Sequence, residues 1–282
     1  MKWKINLSAL ERNIEKARLL VNKPIALMFK DFYQCIYPNL NLHDVRCFGI
    51  SIPNSICYSL GKATAMNDGA LVISKNEVRR CLDLGLRTLY IPINAHDNRE
   101  GLSVSNAINL LRDIRSECNG IELVGLVTSG CLNEKHPNID ELWSLWYQLG
   151  SFLNGFSLGG SFWLGQSVPD FVTEVRIGEY MLFGTIPYYT GDREGDNGIE
   201  IETSVLAIYP ERGQIIVDCG YSLADMKDCK PIEAGITVID CSSEYTILET
   251  RREFNAGETI RFVPNYKSLV KMRHGRIDFI RE

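Results

Sequence analysis

From residue 25 to residue 177 the chain repeats one unit: a short apolar run, a turn, a capped amphipathic helix, then the next apolar run. That repeat leaves little freedom. Strands joined through a covering helix run parallel, and a parallel sheet is covered on both faces. The outcome is an α/β sheet or barrel. The apolar runs place strands at 25–29, 47–52, 70–73, 88–93, 122–128, 153–158 and 172–177. The helices between them show the 3.6-residue period. The first, 7–21, carries Leu7, Leu10, Ile14, Ala17 and Leu20 on one stripe, and Ser8-Ala9-Leu10-Glu11 reads as its capping box. A second box, Ser74-Lys75-Asn76-Glu77, opens a helix that turns Val78, Cys81 and Leu82 inward and closes at Gly85. Further helices are expected at 103–118 and from Asn138 to Gly150. Trp143, Trp146 and Tyr147 on the last one suit either a barrel-covering face or a subunit contact.

The fold class expected from these runs is therefore α/β, a parallel sheet or barrel with about seven strands. After Pro187 the texture changes. The segment 190–198 is polar and rich in glycine, and alternating runs follow at 202–209, 214–217 and 246–249. Their turns are Glu211-Arg212-Gly213 and Asn255-Ala256-Gly257. This is a small C-terminal β domain of about ninety residues. The organisation expected is a barrel domain at 7–189 and a β-rich domain at 190–282, with residues 1–6 joining the second.

Composition excludes several classes. The net charge of −5 gives no electrostatic case for nucleic acid. The locally basic stretch with Lys267, Lys271, Arg273 and Arg276 reads as a solvated face. Nine cysteines without a C-x-x-C pair fit reduced thiols better than a disulfide framework or a zinc site. The four histidines are too dispersed for a metal site. Met1-Lys2-Trp3-Lys4 lacks an apolar signal core, and no apolar run approaches a membrane span. A cytoplasmic protein without membrane or nucleic-acid partners is expected.

In parallel α/β folds the site lies at the carboxyl ends of the strands. Lys30, Arg99, Thr128, Gly160-Ser161 and Arg176 to Gly178 all fall at or just after such ends. Lysine at a strand end is ordinarily a surface residue. Here it sits in a chain that also carries a Gly-Gly-Ser turn and an Arg-x-Gly turn. An amine suited to Schiff-base chemistry and two glycine turns suited to an anion fit an aldehyde cofactor bearing a phosphate.

These residues together resemble the fold-type III, alanine-racemase-like family of pyridoxal-phosphate proteins, and within it the ornithine and other amino-acid racemase branch. Ile5 to Asn13 resembles the family's opening, a strand end followed by the first helix. Asn98-Arg99-Glu100-Gly101 resembles the branch's "DLREG" segment, and Leu123 to Thr128 its next strand. Ser157-Leu158-Gly159-Gly160-Ser161 is similar to the "SGGNS" phosphate turn, and Val175-Arg176-Ile177-Gly178 through Gly184 to "VRxGxxxxxG". Pro264-Asn265-Tyr266 is similar to the "NY" near the family's C-terminus.

The resemblance implies a TIM-type (β/α) barrel, here shortened or irregular, with about seven strands where the standard barrel has eight, followed by the small β domain. It also implies a pyridoxal 5'-phosphate-dependent amino-acid racemase or epimerase. Lys30 would be the Schiff-base lysine and one of the two bases. Backbone amides at Gly160, Ser161, Gly178 and Glu179, with the Ser161 hydroxyl, would hold the phosphate; Thr128 is counted with the cofactor contacts. Arg176 would face the pyridine nitrogen. The second base stays open among Tyr266, Cys131 and His136. Arg99 and His136 are the substrate-side candidates, Arg99 for a carboxylate or the cofactor phenolate. The partners implied are a small amino acid and a second copy of the chain. Two other readings stay open: a non-catalytic homologue that binds pyridoxal phosphate or has lost it, and a D-amino-acid lyase, whose family members pair the cofactor with a metal. The chain departs from the pattern at three points. Lys30 sits in Phe29-Lys30-Asp31-Phe32-Tyr33 rather than "KADAYG", Gly160 replaces the usual asparagine, and the stretch from Lys30 to Arg99 is short.

Overall fold

The protein is described from a computed structural model, over residues 1–30, 34–42, 45–49, 69–94, 101–128, 139–185 and 195–282. Strand β1 (Lys2–Asn6) leads into helix α1 (Leu7–Leu20). Then follow β2 (Ile25–Phe29), β3 (Arg46–Gly49), β4 (Ala70–Leu71), α2 (Lys75–Asp83), β5 (Thr88–Ile93), α3 (Val104–Glu117) and β6 (Glu122–Thr128). Next come α4 (Ile139–Leu149), β7 (Gly155–Gly159), β8 (Val172–Ile177) and the short α5 (Glu179–Phe183).

Strands β2 to β8 form one parallel sheet in the order β3-β2-β8-β7-β6-β5-β4. The sheet's first and last strands in sequence, β2 and β8, lie side by side, so the sheet curls on itself as a barrel does. Its two ends are β3 and β4, which flank residues 50–68. The architecture is thus of (β/α)-barrel type, with seven strands described. The expected strand end at 50–52, the loop 186–194 and the boundary at 189–190 lie outside the described residues.

Alternation along the strands separates two apolar clusters. Ala26 and Met28 on β2, Phe48 on β3, Leu71 on β4, Tyr90 on β5, and Val124 and Leu126 on β6 gather inside the barrel. Leu27, Phe29, Leu89, Ile91, Leu123, Val127, Phe156, Leu158, Val175 and Ile177 belong to a larger core that includes residues of α1 to α5. Each fully buried aliphatic or aromatic side chain stabilises by roughly 1.5–3 kcal/mol. Trp146 on α4 stacks flat on Phe171 at 4.7 Å, whereas Tyr147 beside it is exposed.

The second sheet is antiparallel except at one edge. Strand β9 (Ile199–Tyr209) is its spine. One half pairs with β14 (Thr259–Val263), the other with β10 (Gln214–Val217). Strands β13 (Thr246–Thr250), β12 (Ile236–Cys241) and β11 (Lys230–Pro231) extend it, and β15 (Arg276–Ile280) completes it. β1 lies antiparallel to β9 and parallel to β15, so residues 2–6 belong to this sheet by hydrogen bonding.

Two local expectations need correction. Helix α1 is capped by Asn6, whose Oδ1 accepts the Ala9 amide at 3.0 Å, and Ser8 is already inside the helix. Asparagine is as good an N-cap as serine, and β1 runs directly into the helix, which moves the start forward. The Ser74 cap does form, Ser74 Oγ accepting from the Glu77 amide, but Glu77 reaches back to the Ile73 amide instead of to Ser74. Among the described residues no helix is long and apolar enough to cross a membrane.

Candidate functional site

The inward register of β2 runs Ala26, Met28, Lys30. The step of two carries Lys30 past the strand's last residue to the carboxyl end of the barrel, where its side chain is exposed. Its Nζ lies 4.8 Å from the ring centroid of Tyr266, at cation–π distance. Tyr266 opens a 3-10 run that follows β14, and Asn265 caps that run by accepting the Ser268 amide at 2.7 Å. The second sheet therefore delivers a tyrosine over the mouth of the first.

The two glycine turns meet across the same mouth. Gly160 follows β7 with φ +120° and ψ 133°, a conformation that side-chain-bearing residues rarely adopt. Its amide donates to the Arg176 carbonyl at 3.0 Å. Ser161 is buried, and its Oγ accepts the Tyr180 amide at 3.1 Å. Tyr180 is the second residue of α5, whose cap, Gly178, offers no side chain. The Ser161 hydroxyl thus joins the first turn to the helix start that forms the second.

Glu179 is the first residue of α5 and is half-buried. Burial pushes its carboxyl above the ordinary carboxylate range, and the charge of Lys30 pulls it partly back. Lys30 thus has the Tyr266 ring against it and a carboxyl within electrostatic reach.

Arg176 lies deeper, 2% exposed, on the inward register of β8. Its Nη2 donates to the carbonyls of Val127 (2.9 Å) and Ser157 (3.3 Å), and its guanidinium sits 5.6 Å from the Phe48 ring. Below it is a polar cluster that sequence reading missed. Ser157 Oγ donates to Glu174 Oε1 at 2.6 Å, while Arg46 donates to Glu174 Oε2 at 3.1 Å and to the Tyr90 hydroxyl at 2.5 Å. The signal was present in β8: Glu174 and Arg176 alternate with Val175 and Ile177, so period two puts both charges on one face.

Thr128 ends β6 in register with Gly159, and Gly159 is in register with Arg176, so the backbone row Thr128–Gly159–Arg176 crosses three strands. Among the sequence candidates the structure thus brings together Lys30, Tyr266 and Glu179, and ties the Gly160-Ser161 turn to the Gly178–Tyr180 turn. Arg99, Cys131 and His136 lie outside the described residues. Among the described residues, no three of His, Cys, Asp and Glu gather so as to hold a metal ion.

No family model and no curated protein matches the sequence. Solved structures do match in fold. An alanine racemase from Acinetobacter baumannii superposes with a TM-score of 0.71 at 13% identity, covering 98% of this chain and 99% of that one. A D-threo-3-hydroxyaspartate dehydratase from Delftia sp. HT23 gives 0.71 at 13% identity, over 99% and 94% of the two chains. A D-threonine aldolase from Filomicrobium marinum gives 0.69 at 17% identity, over 100% and 90%. The chain shares the alanine-racemase-like fold with these structures, which match 98% or more of it.

Proposed function

We propose that this protein binds pyridoxal 5'-phosphate at Lys30 and racemises or epimerises a small amino acid by removing and returning its Cα proton. The observation that carries the reading is the placement of Lys30 at the barrel mouth, against Tyr266 and near Glu179, on a fold shared with alanine racemase.

The residues present suit the cofactor. Gly160 has no Cβ and takes a φ that side-chain-bearing residues rarely adopt, which lets the chain turn tightly into Ser161. The Ser161–Tyr180 hydrogen bond fixes this turn against the start of α5, where the first amides of any helix lack intrahelical acceptors. Amides at Ser161, Gly178 and Glu179 would hold the phosphate, with Thr128 beside them; the Gly160 amide, expected to join them, is spent on the Arg176 carbonyl. Arg176 would face the pyridine nitrogen; a guanidinium stays protonated and keeps a proton off that nitrogen. When bound, pyridoxal phosphate withdraws electrons from Cα of the amino acid condensed with it and so acidifies the Cα–H.

The chain's own groups then divide the work. Lys30 Nζ takes the Cα proton on one face, and a second group returns one on the other. Tyr266 is our choice for that second group, since of the three candidates it is the one that lies at the mouth among the described residues; Cys131 and His136 are its competitors. Arg99 and His136 would serve the substrate carboxylate. We also infer a homodimer, and a division into a barrel at 7–189 and a β-rich domain at 190–282.

The test is Cα exchange in deuterated water with cofactor supplied. Deuterium entering Cα of one amino acid, with both enantiomers appearing, is expected. Because the dehydratase and the aldolase share the fold as closely as the racemase does, the second reading is a lyase. Release of a keto acid or an aldehyde in place of the opposite enantiomer would replace the first reading with it.

A further inference from the structure

Arg176 is not the only charge that β8 turns into the barrel. Glu174, two residues earlier on the same face, is 4% exposed. Residues i and i+2 of a strand are about 6.7 Å apart, and both side chains are long enough to close that gap. Opposite charges in a low-dielectric interior attract strongly, so a Glu174–Arg176 pair is the arrangement β8 alone would favour. The structure shows another. Both carboxylate oxygens of Glu174 are engaged elsewhere, Oε1 by Ser157 and Oε2 by Arg46. Ser157 serves both sides, its hydroxyl on Glu174 and its carbonyl on Arg176. Arg46 comes from β3 and keeps 39% of its side chain exposed, so it reaches Glu174 without being fully stripped of water. Its second hydrogen bond goes to the phenol of Tyr90, whose pKa is raised first by burial, so the phenol stays neutral and leaves the cation's charge to Glu174. The Phe48 ring fills the space between, edge to face with Tyr90 at 5.5 Å and 5.6 Å from the Arg176 guanidinium.

We propose that Arg46 is a positioning residue: by engaging Glu174, together with Ser157, it keeps that carboxylate off Arg176 and so holds the Arg176 guanidinium on the carbonyls of Val127 and Ser157, where it can meet the cofactor's ring nitrogen. This rests on the reading that the site takes pyridoxal phosphate. Removing Arg46 leaves Glu174 a buried carboxylate without its cation, and Arg176 is the nearest charge on the same strand face. The guanidinium would turn down toward the barrel floor and leave the mouth.

The experiment compares wild type, Arg46→Met, Arg46→Lys and the double variant Arg46→Met/Glu174→Gln, each incubated with pyridoxal phosphate. Arg46→Met is expected to move the maximum of the visible band and to weaken cofactor binding about tenfold, a coupling typical of one buried charge network. Arg46→Lys should restore part of the loss. The double variant should return close to wild type, because a neutral amide no longer draws Arg176. If Arg46 served stability alone, the double variant would be as perturbed as the single one or more so, and that result overturns the proposal. So does an Arg46→Met band and affinity equal to wild type. A second readout needs no cofactor. The Nε–Hε NMR signal of Arg176, assigned by its loss in Arg176→Lys, should shift in Arg46→Met and return in the double variant; an unmoved signal overturns the proposal. If wild type gives no band, the cofactor reading fails, and the NMR comparison still decides how Arg46 acts on Arg176.

Discussion

Glu179 and Gly160 each carry a local cost at the mouth, one in charge and one in backbone. Burial is the larger influence on Glu179 and raises its folded pKa above the unfolded value, against the pull of Lys30. Such a group contributes stability that is fully present below the unfolded pKa and is lost as the pH rises through the folded pKa. In cofactor-free protein, Glu179→Gln should therefore melt with wild type in acid and above it near neutral pH. Thermal unfolding across that range checks this, and a variant that melts lower at neutral pH would contradict it. At Gly160 the cost is in the backbone. A side chain at φ +120° is strained by about 1–3 kcal/mol, so Gly160→Ala should lose that much in urea unfolding. It should also bind pyridoxal phosphate more weakly, read as a higher dissociation constant. Both residues were legible from the sequence as members of glycine turns. What was not legible was that the Ser161 hydroxyl would bond to the Tyr180 amide: that contact joins residues 19 apart through two strand ends, and no local pattern encodes it.

At the scale of elements, α5 is too short to hold itself, since a single turn nucleates unfavourably. It is held by α1. Asn13, 1% exposed, donates to the carbonyls of Met181 (3.0 Å) and Asp196 (2.7 Å) and accepts the Asp196 amide (2.7 Å). A Cβ on Gly195 would lie 2.2 Å from Asn13 Oδ1, so the chain returning toward β9 can pass only as glycine there. Asn13→Ala strands three backbone groups and should cost roughly 1–3 kcal/mol for each one left buried without a partner. Hydrogen exchange should rise most at the Asp196 amide, which loses its acceptor, and across the amides of α5, which lose the tie at the Met181 carbonyl. Unchanged exchange at both would show that other contacts hold α5. The helical stripe of α1 was readable by period, but Asn13 lies among its inward residues and reads there as a polar interruption. Only the fold supplies the backbone groups it satisfies. Strands 88–93, 122–128, 172–177 and 214–217 were readable to their ends because apolar runs stop there against turn residues. Strands β12, β14 and β15 were missed. Their faces are half exposed and mix charges with apolar residues, which weakens the alternation on which a strand is read.

Taken whole, the molecule builds its mouth from two sheets. The parallel sheet supplies Lys30, Arg176 and the glycine turns, and the antiparallel sheet brings Tyr266 against Lys30. The strand–helix repeat implied a parallel sheet or barrel, the family resemblance chose the barrel, and the seven described strands match the seven read from the sequence. The pairing of β1 with β9 and β15 spans nearly the full chain length, a long-range closure that no repeat announces. The central claim is that this mouth carries pyridoxal phosphate on Lys30. It is tested most directly by the absorption spectrum of protein incubated with pyridoxal phosphate, before and after borohydride, beside Lys30→Ala. A Schiff-base band in wild type that borohydride fixes at Lys30 and that the variant lacks is the predicted result. No band in wild type, or an equal band in Lys30→Ala, would contradict it.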